Sequence, residues 1–180
     1  GRRLYLNDIH ARQQGLRANP RADYATLLRR AAYVLTGLPP TAEQRQRLAA
    51  QPDEAAFAAL VDELLASPHY GERQARHWLD LARYSDSNGL DENLAFANAW
   101  RYRDWVVAAH NQDLPFDRFA QLQIAGDLMV DEPGVGIDGY TATGFLALGP
   151  RMLAEQDKPK LVLDTVDEQL DLVGRTFLGQ

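Results

Sequence analysis

Residues 57–84 read FAALVDELLASPHYGERQARHWLDLARY. In the first half, apolar residues from Phe57 to Leu65 recur at i, i+3, i+4, i+7 and i+8, which is the spacing of one face of an α-helix. Ser67-Pro68 then places a capping residue before a proline that suits the first helical turn, and it predicts another helix extending to about Tyr84. We therefore expect consecutive helices here, the first of which faces a core.

Similar helical patterns continue on both sides of this stretch. Upstream, Asn19-Pro20 predicts the start of a helix that ends near Thr36-Gly37, and Thr41 with Gln44 fits a capping box. Pro52-Asp53 precedes the helix that contains Phe57. Downstream, the apolar spacing predicts helices at about 97–111, 115–128 and 160–177.

These patterns predict an all-α fold. The chain of 180 residues is long enough for a single domain, which we expect to span residues 1–180 with six or seven helices. Residues 1–19 are expected to form an extended N-terminal arm, and the glycine-rich, aperiodic residues 129–159 a long loop before the last helix. A loop of this length is unusual unless it serves binding. The chain is expected to be a fragment of a larger protein.

Composition excludes several classes of function. Hydrophobic residues make up 46% of the chain and charged residues 24%, as in ordinary globular proteins. The net charge of -6 argues against nucleic acid as a partner. No apolar run approaches the length of a membrane span. The absence of cysteine excludes disulfides, thiolate metal sites and covalent haem attachment by this segment.

Ionisable residues concentrate between residues 76 and 105, beside the largest apolar side chains. The helix after Asp86 is so rich in apolar residues that we expect its charged residues to be buried, each arginine beside a carboxylate. The nearest carboxylates are Asp80, Asp86, Asp91 and Glu92. The sequence therefore predicts a structural polar network, whose members are His77, Asp80, Tyr84, Asp86, Arg101, Arg103 and Asp104. A binding surface, or an acid/base pair of His77 with Asp80 or Asp86, are the alternatives.

The last predicted helix carries an apolar strip beside an acidic face. The strip has alternating spacings of three and four and consists of Leu163, Val166, Leu170, Val173 and Phe177. The acidic residues repel one another, so arginines of the middle helices, a bound Ca²⁺ or Mg²⁺, or solvent should offset them. The weak metal-ligand candidates are therefore Asp164, Asp167, Glu168 and Asp171.

Five blocks of the sequence together form a specific combination, in this order: LRRAAYVLTGLPPT, VDELLASPHYGERQARHWLDLARYSDSNG, NAWRYRDWVVAAHNQDLPFDRFAQLQIAGDL, ATGFLALGPRMLAEQDK and DTVDEQLDLVGRTFLG. Through these blocks the chain resembles the planctomycete cytochrome-C-like domain of unknown function. The resemblance implies an exported (periplasmic or cell-surface) protein with neighbouring domains, among them a c-type cytochrome. A Cys-x-x-Cys-His haem motif commonly follows the residues that stand here as Phe177, Leu178 and Gly179, so a c-type haem is expected only in an adjoining segment. His77 is the first candidate to ligate such a haem.

The favoured hypothesis is a noncatalytic helical module that supports or docks a haem-bearing or substrate-processing neighbour, either another domain of the same polypeptide or a c-type cytochrome. The residues expected to face that partner are Glu155, Asp167, Glu168 and Asp171. The alternative is an extracellular carbohydrate-active hydrolase or lyase that uses His77 with Asp80 or Asp86 as acid and base.

Overall fold

The computed structural model describes residue 15 and residues 20–89, 93–150 and 156–179. Over these ranges the chain is helical and holds no strand, which confirms the all-α prediction. Eight α-helices follow one another: α1 (Tyr24–Leu35), α2 (Ala42–Ala50), α3 (Glu54–Leu65), α4 (Pro68–Leu81), α5 (Ala99–Asn111), α6 (Phe116–Ala125), α7 (Ile137–Ala142) and α8 (Lys158–Val173). The predicted N-terminal arm, apart from Gly15, lies outside the described residues.

The helix starts follow from local capping chemistry. Thr41 and Gln44 form the predicted capping box: the Gln44 N–H donates to Thr41 Oγ1 over 3.1 Å, and the Thr41 N–H donates to Gln44 Oε1 over 2.9 Å. Ser67 caps α4 ahead of its first-turn proline, as predicted. The start of α1 differs from the prediction, because Asp23 rather than Asn19 is the cap, accepting the Thr26 N–H at 2.7 Å.

Two hydrophobic clusters hold the helices together. The smaller one lies among α1, α2 and α3, and its buried residues are Leu28, Ala32, Leu48, Leu60 and Leu64. Two of the residues in the predicted stripe of α3 therefore face this core, while the last, Leu65, is 43% exposed. The larger cluster draws on α4, α5, α6, α7 and α8 and on the turn that follows α7. The middle helices predicted to carry the site thus belong to the larger core.

Helices α4 and α5 approach each other closely at Gly71. A Cβ on Gly71 would lie 2.5 Å from the Val107 carbonyl oxygen, so only glycine fits. The Gly71 N–H donates to Asn111 Oδ1 over 2.8 Å, which ties the start of α4 to the end of α5. This contact fixes how the indole of Trp78, further along α4, meets α5.

The segment predicted as a long loop, residues 129–159, differs from the prediction because it contains structure. It holds α7 and a 3₁₀ turn at Thr143–Leu146. Ala142, Phe145 and Leu148 recur every three residues and are buried in the larger core. The apolar periodicity of the sequence does not predict this short helix, because Gly139 and Thr141 interrupt the apolar pattern.

Candidate functional site

The predicted acid/base residues lie on the surface, and no hydrogen bond or ion pair joins them to one another. His77, Asp80 and Asp86 are all exposed. The side chains of His77 and Asp80 make no hydrogen bond or ion pair with any residue in the described ranges. The polar network predicted from the sequence therefore does not include this histidine, and the geometry gives it no partner for proton transfer.

Part of the predicted network exists as a small surface cluster. The Tyr84 hydroxyl donates to Asp86 Oδ1 over 2.7 Å, and Arg103 Nε donates to Asp104 Oδ1 over 2.9 Å. Partial burial, reinforced by the hydrogen bond to the Asp86 carboxylate, raises the pKa of Tyr84 to about 12, and the charge of Arg103 opposes this rise. Both acidic partners are exposed, so the cluster is solvated.

The expectation that the α5 arginines are buried is wrong. Arg101 and Arg103 are both exposed, and Arg101 lies over the Trp100 ring, 5.0 Å from its centroid, instead of beside a carboxylate. The apolar content of α5 does not indicate a fully buried helix, because one of its large apolar residues, Trp100, is itself 45% exposed. Helix α5 is in fact two-sided, and its buried side consists of Ala99, Tyr102, Trp105, Val106 and Ala109. Asp91 and Glu92, also considered as partners for the arginines, lie outside the described residues.

The polar centre of the fold is buried and neutral. Trp78 Nε1 donates to Gln123 Oε1 over 2.8 Å and to the Tyr102 hydroxyl over 3.1 Å, and that hydroxyl donates to the same Gln123 oxygen over 2.6 Å. Gln123 completes the set by donating its amide N–H to the Phe119 carbonyl over 3.1 Å. Burial raises the pKa of Tyr102 well above its usual range. The phenol therefore stays protonated and serves as a structural donor rather than a base.

Trp78 is also the centre of an aromatic cluster that joins four parts of the chain. Its ring lies 4.8 Å from that of Phe119 in an edge-on arrangement, and Trp105 stacks on the same phenylalanine from α5 with centroids 5.2 Å apart. Phe145 and Phe177 approach the indole to 6.3 and 5.7 Å. Each such pair adds about 0.5 to 1.5 kcal/mol beyond the area it buries. The centre therefore holds α4, α5 and α6 together with the 3₁₀ turn at Thr143–Leu146 and with the C-terminal turn, a π-helical turn at Gly174–Leu178.

Helix α8 is attached to the end of α4 by Arg83. The guanidinium of Arg83 donates to Glu168 Oε2 over 3.0 Å and to the Glu168 carbonyl over 3.1 Å, and it lies 3.5 Å from Asp171 Oδ2. Arg83 has a backbone φ of 54°, the left-handed region that costs a non-glycine residue about 1 to 3 kcal/mol. Two acidic residues of α8 are thus offset by an arginine, one of the three possibilities that the sequence left open.

The opposite face of α8 is apolar and exposed. Its exposed residues are Val162 (63%), Leu163 (65%), Val166 (44%) and Leu170 (66%). The inner side of the helix uses Leu172, which is buried, and Gln169, whose amide donates to the Leu146 carbonyl over 3.1 Å. Three residues of the predicted apolar strip therefore face solvent, and Val173 and Phe177 at its end pack against the core. We call the four exposed residues, 162, 163, 166 and 170, the α8 outer face.

Three open cavities lie elsewhere on the surface. The largest, of about 880 Å³, lies between α1 and α2; another of about 650 Å³ lies between the start of α5 and α7; a third of about 580 Å³ lies between α4 and α5. None of these three is lined by His77, Asp80 or Asp86. The residues on which the carbohydrate-active alternative depends therefore do not line any of these three cavities.

Neither a metal-binding cluster nor a membrane-spanning helix occurs in the part of the chain that the structure describes. Among residues 15, 20–89, 93–150 and 156–179, no three His, Cys, Asp or Glu side chains are grouped so that they could hold a metal ion. The acidic face of α8, whose residues were the weak metal candidates, therefore lacks a suitable arrangement. Within the same part of the chain no helix has the length and apolar character needed to cross a bilayer.

The family of the chain is settled by a comparison with known families. Residues 8–180 match the model of PSCyt2, which is described as a protein of unknown function (DUF1549). The chain belongs to this family. No curated protein and no solved structure matches it. The PSCyt2 match supports the domain of unknown function that the sequence resembles, while the cytochrome association rests only on the family name.

One central residue of this PSCyt2 domain was missed at the sequence level. Gln123 is fully buried, although glutamine usually lies on helix surfaces. A weak signal did exist, because Gln123 follows Leu122 and stands four residues after Phe119, in the middle of the buried face of α6. A polar residue in the middle of an apolar helical face indicates a buried hydrogen bond, but the sequence does not identify its partners.

We expect Gln123→Leu to lower the free energy of unfolding by about 2 kcal/mol, because the Tyr102 hydroxyl loses its acceptor in a buried site. Tyr102→Phe is the matched control. It removes one hydroxyl while Trp78 Nε1 keeps its bond to Gln123, so the loss should be about 1 kcal/mol. Urea denaturation followed by circular dichroism measures both. A larger loss of stability for Tyr102→Phe than for Gln123→Leu would contradict the assignment of Gln123 Oε1 as the acceptor that Trp78 and Tyr102 share.

Proposed function

We propose that this PSCyt2 domain is a noncatalytic helical interaction module of an exported multidomain protein, and that the α8 outer face docks against a c-type cytochrome domain of the same polypeptide. The observation that carries the proposal is the exposed apolar row on α8. The family name and the sequence resemblance support a cytochrome as the neighbour.

The α8 outer face has the composition of a docking surface. Leu163 and Leu170 stand two helical turns apart and are each about two-thirds exposed, with Val166 between them. Scattered surface leucines need no explanation, but a contiguous apolar row is typical of a protein interface. Burying a leucine or valine fully is worth about 1.5 to 3 kcal/mol, so even partial coverage of this row would support a transient interface.

The charged residues beside the α8 outer face indicate what chemistry a partner surface needs. Asp167 is exposed next to Val166, and Asp164 is exposed beside Leu163 at 3.8 Å from Lys160. Glu168 and Asp171 were also expected to face the partner, but their carboxylates contact Arg83 and hold α8 in place. Glu155, the remaining residue expected to face the partner, lies outside the described residues. The partner surface that fits is an apolar patch with a cationic rim. Complementary rim charges mainly raise the association rate and fix the orientation.

The rigid attachment of α8 suits this role. Arg83, through Glu168, and the contacts of Phe177 with Phe145 and Trp78 hold the C-terminal half of the helix against the larger core. The outer face is therefore carried by a helix that is already attached to the core, and docking does not require this half of the helix to order first. A preorganised surface binds with a smaller entropic cost than a flexible one.

The test is a titration of the ¹⁵N-labelled chain with the purified c-type cytochrome domain of the parent polypeptide. We expect amide shift changes that cluster on residues 160–171, and a dissociation constant that Leu163→Glu combined with Leu170→Glu raises about tenfold or more. Both side chains are exposed, so the stability of this double variant should remain within about 0.5 kcal/mol of the parent chain.

The control is Val34→Glu combined with Leu38→Glu, which places the same two negative charges on exposed residues at and just after the end of α1, far from α8 along the chain; Val34 is 62% and Leu38 45% exposed. This variant should bind the cytochrome domain like the parent chain. Equal weakening by this control would point to a nonspecific charge effect. No shift changes on residues 160–171 at millimolar partner would overturn the proposal.

A further inference from the structure

A large cavity is formed by helices that do not contribute to the larger core. It lies between α1, the connection at residues 36–41 and α2, and has a volume of about 880 Å³. Its walls are mainly apolar and include Tyr24, Leu28, Tyr33 and Leu48. We call this cavity the α1–α2 groove. Small-molecule sites typically measure about 300 to 1,000 Å³ and have apolar and aromatic walls with a few polar groups, so the groove matches them in size and lining.

Two arginines supply the polar groups of the groove. Arg29 projects from α1 and Arg45 from α2, and within the described ranges neither guanidinium makes a hydrogen bond or an ion pair. Two neighbouring arginines are paired instead: Arg47 with Glu63, and Arg21, just before α1, with Glu54. Both guanidiniums that line the groove are therefore available to an acidic ligand.

The acidic residue of the groove is already engaged. Asp23 also lines it, but its carboxylate accepts the Thr26 N–H at 2.7 Å and the Thr26 hydroxyl at 3.2 Å as the cap of α1. These hydrogen bonds lower the pKa of Asp23, so it stays ionised and bound to the helix end. With two free guanidiniums against one engaged carboxylate, the groove is a cationic site on a chain whose net charge is -6.

The walls determine the shape of ligand that fits. Pro39 and Pro40 lie along one side of the groove. Because a proline ring fixes the backbone angle φ, this side of the groove is largely preformed. The rings of Tyr24 and Tyr33 offer flat apolar surfaces, and aromatic rings prefer stacked or edge-on neighbours. Guanidinium groups match the geometry of carboxylates and bind them through paired hydrogen bonds. We propose that the α1–α2 groove binds a small aromatic carboxylate, with its ring between the tyrosines and prolines and its carboxylate on Arg29 and Arg45.

This site is separate from the α8 outer face and does not depend on the proposed docking. The probe is 2-naphthoate, and 2-naphthamide is its uncharged analogue of the same shape. In isothermal titration of the 180-residue chain we expect 2-naphthoate to bind with a dissociation constant below about 1 mM. The amide should bind at least about tenfold more weakly, because it carries no negative charge and offers the guanidiniums one acceptor oxygen instead of two.

Charge-removing variants test the assignment of the arginines. Arg29→Gln combined with Arg45→Gln should raise the dissociation constant of 2-naphthoate about tenfold or more and leave that of 2-naphthamide unchanged. Arg30→Gln is the matched control, since Arg30 is an exposed arginine on the same helix that does not line the groove. It should bind both probes like the parent chain.

Amide shift mapping in the parent chain gives a readout that requires no variant to fold. Addition of 2-naphthoate should shift residues 23–33 and 45–52, and leave α8 unaffected. Ala49→Trp, which adds an indole to the groove wall, should abolish these shifts. The proposal is overturned if 2-naphthoate fails to bind at millimolar concentration, if the amide binds equally well, or if the shifts fall outside the groove.

Discussion

Replacing Trp78 with alanine should lower the free energy of unfolding by about 3 to 5 kcal/mol. The substitution removes the indole that lies 4.8 Å from Phe119 and 5.7 Å from Phe177, and it takes away the N–H that Gln123 accepts at 2.8 Å. A cavity would open where α4, α5, α6 and the C-terminal turn meet. Urea denaturation monitored by far-ultraviolet circular dichroism measures the loss.

Trp100→Ala is the matched control, because it deletes the same side chain from a position that is 45% exposed. Its main contact is the Arg101 guanidinium 5.0 Å from the ring centroid, so the expected loss is below about 1 kcal/mol. If Trp78→Ala does not fold, Trp78→Phe keeps an aromatic ring and should cost about 1 to 3 kcal/mol through the lost hydrogen bonds. Equal losses at Trp78 and Trp100 would show that the polar centre does not support the fold.

The helices themselves could be predicted because their signals are local. Thr41 and Gln44 satisfy each other's backbone groups within one turn, and Ser67-Pro68 starts α4 by the same kind of short-range chemistry. The positions at which the helices end were predicted less accurately than their starts. Helix α4 stops at Leu81 rather than Tyr84, since Arg83 leaves the helical region with a positive φ of 54°. This conformation accompanies the contact of Arg83 with Glu168, which lies 85 residues further along the chain.

The sequence predicted the helices more accurately than it predicted which face of each helix points to the core. Helix α8 carries an apolar strip and an acidic strip, and the simple expectation buries the apolar one. The structure instead turns Glu168 inward, because Arg83 is available to pair with it, and leaves Leu163 and Leu170 exposed. The choice depends on a charge from another helix, so the periodicity of α8 alone does not determine it.

The nature of the polar centre was also beyond local reasoning. A concentration of arginine and aspartate around tryptophans predicted a buried ionic network, but burying charges carries a large desolvation cost. The fold keeps Arg101 and Arg103 at the surface and places neutral donors and acceptors inside, namely the Trp78 indole, the Tyr102 phenol and the Gln123 amide. These groups lie 21 to 45 residues apart in the chain, and only the tertiary packing brings them together.

The second large effect is expected at Gly139, within the segment that the sequence predicted to be a loop. A Cβ on Gly139 would overlap the Gly126 carbonyl oxygen and lie 3.0 Å from Val135 Cγ1, and a Cβ on Gly126 would lie 2.5 Å from the Gly139 oxygen. The glycines of this segment thus permit a backbone contact between α7 and the turn after α6. Gly139→Ala should therefore destabilise the chain by about 3 kcal/mol, since neither backbone can move without displacing the core around Phe145.

Gly149→Ala is the control that separates this packing effect from the general cost of replacing a glycine. A Cβ at Gly149 would meet no atom within 4 Å, so the change in the free energy of unfolding should stay within about 0.5 kcal/mol. The same urea titration measures both variants, and hydrogen exchange locates the loss. Because α7 and the turn that carries Phe145 pack on the aromatic centre, Gly139→Ala should also speed amide exchange in residues 137–148. If Gly139→Ala is as stable as Gly149→Ala, the close approach of the two backbones is wrong, and residues 129–159 would behave as the irregular loop that their composition suggests.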